Sequence, residues 1–105
     1  MSPAHLTENL DWEGIALSVT FCPDWSPAFR QAYGRPLAHL TVTSVTPTGA
    51  PLPITETGYV SRFLSPDDVA AHGGPAGYVR AWLDQAADGP AWRELRAKAA
   101  QLSLF

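Results

Sequence analysis

Two extended runs separated by a turn, between Leu37 and Leu64, most constrain how this chain can fold. The first run, His39 to Val45, alternates apolar residues with threonines, as expected for a half-buried strand. The second run, Ile54 to Leu64, is less regular and contains Gly58, which predicts a bend. Between the runs lies Thr-Pro-Thr-Gly-Ala-Pro, which cannot continue a strand. The pattern predicts an antiparallel hairpin.

A third strand is predicted ahead of this hairpin. Apolar residues occupy every second position over most of the span from Trp12 to Cys22, and Pro23 follows directly. Alternation with a period of two indicates a strand with one buried face. Residues 1–11 are mostly polar, and we expect them to form an irregular lead-in.

Helix signals occupy the remaining segments. Ser26 and Ser65 each precede a proline, which is typical of an N-cap followed by the first helical position. A stripe at helical spacing follows Pro75, and a thinner stripe follows Pro90. The predicted fold is an α+β domain in which a three-stranded antiparallel sheet packs against two to three C-terminal helices. The expected common core consists of Ile15, Leu17, Val19, Phe21, Leu40, Val42, Val79, Trp82 and Leu83.

Length and charge limit the possible function. We expect the 105 residues to form one domain over residues 1–100, followed by a short tail. A net charge of −3 argues against a general nucleic-acid binder, so we expect no sequence-specific binding to nucleic acid. We find no run long enough to span a membrane and no signal peptide, and therefore predict a cytoplasmic protein. The sequence leaves the oligomeric state open.

We find no convincing catalytic or metal-binding set. The histidines His5, His39 and His72 and the single Cys22 lack the spacing of metal ligands. Cys22 and His39 could meet across neighbouring strands as a nucleophile and base. A buried, unreactive cysteine is the favoured interpretation, because free cysteine is among the most buried residue types. We therefore expect no metal and no cofactor.

A polar loop offers an alternative site. Thr55, Glu56, Thr57 and Tyr59 place a carboxylate, two hydroxyls and a phenol close together. With His39 or His72 they could form a ligand-binding or enzymatic site. A bulge at Gly58 with Tyr59 covering the sheet explains the same residues structurally. The glycines after His72 are likewise explained by a connection between two helices.

The last five residues carry the most specific signal, namely Gln101, Leu102, Ser103, Leu104 and Phe105. This QLSLF sequence resembles, at all five positions, the pentapeptide by which bacterial polymerases and repair proteins dock on the β sliding clamp. A match at one given place has a chance probability on the order of one in a million. The resemblance implies that Leu104 and Phe105 enter an apolar cleft of the clamp, while the Gln101 amide bonds a polar subsite. The competing interpretation is that these residues finish the last helix and fold onto the core.

The body of the chain resembles a second group of proteins. The segments AHLTVTSV and PLPITETGYVSRF are similar to small uncharacterised proteins of proteobacterial plasmids and genomic islands, over residues 12–88. This resemblance implies a mobile-DNA setting and no particular chemistry. The leading hypothesis is therefore an adaptor that docks on the sliding clamp through residues 101–105, in preference to an enzyme.

Overall fold

The fold is a four-stranded antiparallel sheet with helices inserted after its second strand and after its last. The computed structural model describes the backbone of residues 5–102 and the side chains of residues 5–98. The strands, in the spatial order β1-β2-β3-β4, are β1 (Leu6–Trp12), β2 (Ile15–Cys22), β3 (Ala38–Thr46) and β4 (Tyr59–Leu64). The helices are α1 (Pro27–Tyr33), α2 (Pro66–Ala71), α3 (Pro75–Ala87) and α4 (Pro90–Leu102). The predicted α+β class is confirmed.

The prediction of three strands is wrong by one, because residues 6–12 form a strand instead of an irregular lead-in. The turn between β1 and β2 consists of Glu13 and Gly14, both with positive φ (47° and 82°). Two residues with positive φ are typical of a tight hairpin whose twist matches that of its strands. The buried Leu10 and Trp12 alternate with polar residues that face solvent, so the strand looked like a polar segment in the sequence.

The hairpin of β3 and β4 is confirmed, although its second strand is shorter than expected. β4 begins at Tyr59, directly after the predicted bend at Gly58. A Cβ atom at Gly58 would lie 2.7 Å from the backbone carbon of Gly49, closer than real Cβ contacts allow. Gly58 also accepts a hydrogen bond of 2.7 Å from the backbone N–H of Ser44. The loop before β4 therefore folds back tightly on itself, and only a glycine fits there.

The predicted helix starts are confirmed. The Ser26 hydroxyl accepts a hydrogen bond of 3.2 Å from the backbone N–H of Phe29. The Ser65 hydroxyl accepts one of 3.3 Å from the backbone N–H of Asp67. Each bond satisfies a donor that the first helical turn leaves unpaired. These caps define where α1 and α2 begin, directly after β2 and β4.

The core lies on one face of the sheet. Of the nine predicted core residues, the structure buries all except Ile15 and Trp82, which are half-buried and pack against the others. Trp82 is only half-buried because it lies near the edge strand β4, where the Arg62 guanidinium sits 4.6 Å from its ring centroid. Val79 and Leu83 of α3 are completely buried against the sheet. α1 contributes no buried residue.

Trp12 connects β1 to two helices. Its indole N–H donates a hydrogen bond of 2.9 Å to the Asp84 carboxylate of α3. Its ring also lies 5.6 Å from that of Trp92 in α4, measured between centroids. Both contacts hold helices on the core face of the sheet. Among the described helices, none combines the length and the apolar character needed to cross a bilayer.

We predict that Leu83→Ala lowers the free energy of unfolding by about 2–5 kcal/mol, because it leaves a cavity between α3 and the sheet. The exposed Gln85 lies on the same helix and provides a matched control. Gln85→Ala should change stability by no more than about 0.5 kcal/mol. Denaturant melts of the two variants test this, and equal stability would show that α3 does not close the core.

Candidate functional site

One face of the sheet is not covered by α2, α3 or α4, and we call it the open face. The strand register places a row of four hydroxyl-bearing residues across it: Thr7, Thr20, Thr41 and Ser61. The Thr7 and Thr20 hydroxyls lie 3.4 Å apart. Asp11 is the one ionised side chain that the described strands place on this face. The open face is therefore polar but almost uncharged.

An aromatic cluster of Trp25, His39 and Phe63 lies at one end of the open face. The His39 ring lies 4.4 Å from the Trp25 ring and 4.8 Å from the Phe63 ring, between centroids. A backbone hydrogen bond of 2.8 Å from Trp25 to Leu37 holds the two ends of the α1 segment together. Trp25 and Phe63 remain about half exposed, at 47% and 54%. Exposed aromatic groups of this kind commonly mark a binding surface.

A cavity of about 240 Å³ lies beside this cluster, between α1 and the end of β4, and we call it the α1–β4 pocket. Most of its walls are apolar, and one guanidinium and one hydroxyl complete them. The lining residues are Phe29, Arg35, Pro36, Leu37, Phe63, Leu64 and Ser65. Arg30 of α1 forms a salt bridge of 3.2 Å with Asp24, whereas Arg35 has no such partner among the described residues. The sequence carried no period or motif that predicted this pocket.

The polar loop predicted as an alternative site is held together by its own hydrogen bonds. The hydroxyls of Thr55 and Thr57 donate to the backbone carbonyl of Tyr59, at 2.8 and 3.2 Å. The backbone N–H of Thr57 in turn donates to the Thr55 hydroxyl. Glu56 and Tyr59 are exposed. The two threonines therefore shape the loop, and their donors are engaged there.

The histidines considered with this loop lie elsewhere. His39 pairs with Phe63, whereas Tyr59 pairs with Thr43, four residues away along β3. Four residues of a strand span roughly 13 Å. His39 is therefore at the opposite end of β4 from the loop.

His72 belongs to the connection between α2 and α3. Its ring nitrogen Nδ1 lies 2.8 Å from the backbone carbonyl of Asp68, and the ring packs edge-on against Tyr78. A Cβ atom on Gly77 would lie 2.1 Å from the His72 carbonyl, so the glycine permits this close approach. The glycines after His72 thus serve the helix connection. Within the described part of the chain, no group of His, Cys, Asp and Glu is arranged to hold a metal ion.

Cys22 and His39 are opposite each other in the register of β2 and β3, as predicted. Cys22 is buried, with 5% of its surface exposed. The His39 ring packs at tilted angles against both Trp25 and Phe63, whose own rings lie 6.2 Å apart between centroids. Cys22 is therefore buried at the end of the sheet, opposite the histidine of the aromatic cluster.

The predicted clamp-binding residues fall at the limit of the described chain. Gln101 and Leu102 belong to the last turn of α4, and their side chains are outside the description. Ser103, Leu104 and Phe105 lie outside the described residues altogether. Preceding them in α4, Arg96 forms an ion pair with Glu13 of the first hairpin turn. That contact anchors α4 near the turn between β1 and β2.

We predict that the Cys22 thiol reacts slowly with an alkylating reagent in the native protein and rapidly in denaturant. The reagent reaches a buried thiol only when the structure opens locally. Time-resolved labelling followed by mass spectrometry measures both rates. Rapid labelling of the native protein would contradict the packed arrangement of Cys22.

Residues 6–92 match the family model described as the KlcB third domain. No curated protein and no solved structure shows a significant match to the chain. The matched segment runs from the start of β1 into the first turn of α4, so it contains the whole sheet and the α1–β4 pocket. Because this match covers well over half of the sequence, the chain belongs to the KlcB third-domain family.

Proposed function

We propose that this chain is a small adaptor that docks on the bacterial replicative sliding clamp through residues 101–105. The observation that carries the proposal is the five-residue sequence QLSLF, which agrees with the clamp-binding pentapeptide at every position. The motif lies beyond residue 92, outside the segment that matches the family. Clamp docking would therefore be a property of this chain's C-terminal segment and would not follow from membership of the family.

The helix that leads to the motif is attached to the domain along a narrow stripe. Within residues 90–98, Trp92 and Leu95 are partly buried and the other residues are exposed. Trp92 packs on Trp12, and Arg96 pairs with Glu13. Because α4 is held along one side only, Leu104 and Phe105 of the motif need not pack on the core for the helix to stay attached.

The expected affinity follows from the size of the motif. Leu104 and Phe105 would each gain about 1.5–3 kcal/mol on entering an apolar cleft. Ordering the segment on binding offsets part of that gain. The two side chains together give about 3–6 kcal/mol before that cost, whereas a micromolar dissociation constant requires about 8 kcal/mol, so contacts of Leu102 and the Gln101 amide would have to supply the rest. Such affinity suits reversible recruitment to a clamp that many proteins share.

A plasmid setting is consistent with this role. The KlcB family is associated with plasmids, and the body of the chain resembles small proteins of mobile elements. An adaptor in the bacterial cytoplasm could link a mobile element to the host replication machinery. The folded domain would then supply a second binding surface, while residues 101–105 supply the clamp contact.

We predict that a synthetic peptide ending in Ala-Gln-Leu-Ser-Leu-Phe binds the isolated clamp with roughly micromolar affinity. In the intact chain, Leu104→Ala combined with Phe105→Ala should abolish clamp binding, because the apolar anchors are lost. The melting temperature should hardly change, since the proposal places these side chains outside the core. Surface plasmon resonance and thermal melts measure the two effects.

A result of the opposite kind would be equally clear. If the double variant melts several degrees lower and the peptide does not bind, residues 101–105 stabilise the domain and the adaptor role fails. A peptide of the same composition in scrambled order controls for nonspecific apolar binding.

Gln101 gives a further prediction. Gln101→Ala should weaken clamp binding by about 1 kcal/mol, the scale of one hydrogen bond with its desolvation. Gln85→Ala removes the same side chain from α3 and should leave the affinity unchanged. Equal affinities for the two variants would show that the amide of Gln101 makes no contact with the clamp.

A further inference from the structure

We propose that the α1–β4 pocket is a peptide-binding site that takes an aromatic or leucine side chain flanked by acidic residues. The occupant is an extended segment of a partner protein. The site lies within residues 25–65 and is independent of clamp docking by residues 101–105.

The size and walls of the pocket determine what can fill it. At about 240 Å³ it is smaller than the 300–1,000 Å³ clefts that are usual for cofactors and drug-sized ligands. Its walls include two aromatic rings, from Phe29 and Phe63, together with Leu37. One apolar side chain is the ligand that matches both the volume and the walls.

The charge of the pocket indicates which residues flank that side chain. Arg35 lines the pocket, and no acidic residue does. The neighbouring Arg30 is already paired with Asp24, so Arg35 is the cation available to a ligand among these residues. A carboxylate beside the apolar anchor would complement the Arg35 guanidinium.

The edge of the sheet supplies the backbone contacts that a peptide needs. β4 has β3 as its single neighbour in the described sheet, so one side of its backbone faces outward beside the pocket. An extended peptide can add to such an edge through main-chain hydrogen bonds while one of its side chains enters a pocket. The exposed Trp25 and Phe63 extend the contact surface onto the open face.

A peptide fits this surface better than a nucleic acid does. Stacking platforms for single-stranded nucleic acid combine aromatic side chains with a basic groove that follows the phosphates. The open face has almost no charge, so the described residues provide no basic groove of that kind. Arg35, which has no salt-bridge partner among the described residues, and the apolar cavity match an acidic peptide with a single anchor.

The test is a titration of the full chain, labelled with ¹⁵N, against three acetylated and amidated pentapeptides. The first is Gly-Glu-Phe-Asp-Gly, the second is its neutral isostere Gly-Gln-Phe-Asn-Gly, and the third, Gly-Glu-Ala-Asp-Gly, lacks the anchor. The acidic peptide should shift the amide signals of Leu37, Phe63, Leu64 and Ser65. It should bind about two- to fivefold more tightly than the isostere, as expected for one exposed ion pair. The peptide without an anchor should produce no shifts.

Matched variants separate the two contributions. Arg35→Gln should abolish the preference for the acidic peptide, whereas Arg80→Gln on α3 should retain it. Phe63→Ala should reduce binding by roughly tenfold or more, as for a central aromatic anchor. Tyr59→Ala should have no effect, because Tyr59 is equally exposed but lies at the other end of β4. Removal of residues 101–105 should leave the titration unchanged, which separates this site from clamp docking.

Several results would overturn the proposal. One is the absence of shifts around the pocket, and another is equal affinity for the acidic peptide and its isostere. Shifts of the same signals by a ten-residue thymidine oligonucleotide, with none from the peptides, would identify a nucleic-acid surface instead. Shifts that depend on protein concentration without any ligand would show that a second copy of the chain occupies this face.

Discussion

The arrangement of sheet and helices depends on the contacts that the indole of Trp12 makes with two helices. The indole donates to Asp84 of α3 and packs against Trp92 of α4, while its own strand ends in the turn that carries Glu13. The Glu13 carboxylate pairs with Arg96, one turn further along α4. Because these contacts meet at one corner of the sheet, they fix where α4 leaves the domain. The helix that precedes the clamp-like motif is therefore held by a strand at the other end of the sequence.

The helices cover only one face of the sheet, and this leaves two different surfaces. Val79 and Leu83 seal the core face, where burial of apolar area supplies most of the stability. The open face has a row of hydroxyls and, at one end, the aromatic cluster that includes Trp25. α1 buries none of its residues, so its aromatic side chains contribute more to a surface than to the core. Because the two faces differ in this way, the candidate binding surface, which is the aromatic cluster with the α1–β4 pocket, lies at one end of the open face.

Caps and periodic patterns in the sequence correctly predicted the elements that depend on neighbouring residues. They failed for features that depend on contacts between distant parts of the chain. The caps Ser26 and Ser65 and the alternation in β2 identified two helix starts and a strand correctly. β1 was missed because it is an edge strand whose polar residues face solvent, and because Glu13 adopts the positive φ usually taken by Asn, Asp or Gly. The α1–β4 pocket was missed because it joins residues from separate elements. No spacing along the sequence encodes such a site.

The aromatic cluster and the contacts that hold α4 lie at opposite ends of β2, and this separation would give the proposed adaptor role a physical basis. β2 starts beside Trp12 and ends at Cys22, which lies opposite His39 of the aromatic cluster. Its eight residues span roughly 25 Å, so a peptide in the pocket would lie about that far from the contacts that Trp12 and Glu13 make with α4. If the protein that carries the peptide also contacted the clamp, each of the two contacts could be weak while the whole assembly gained avidity.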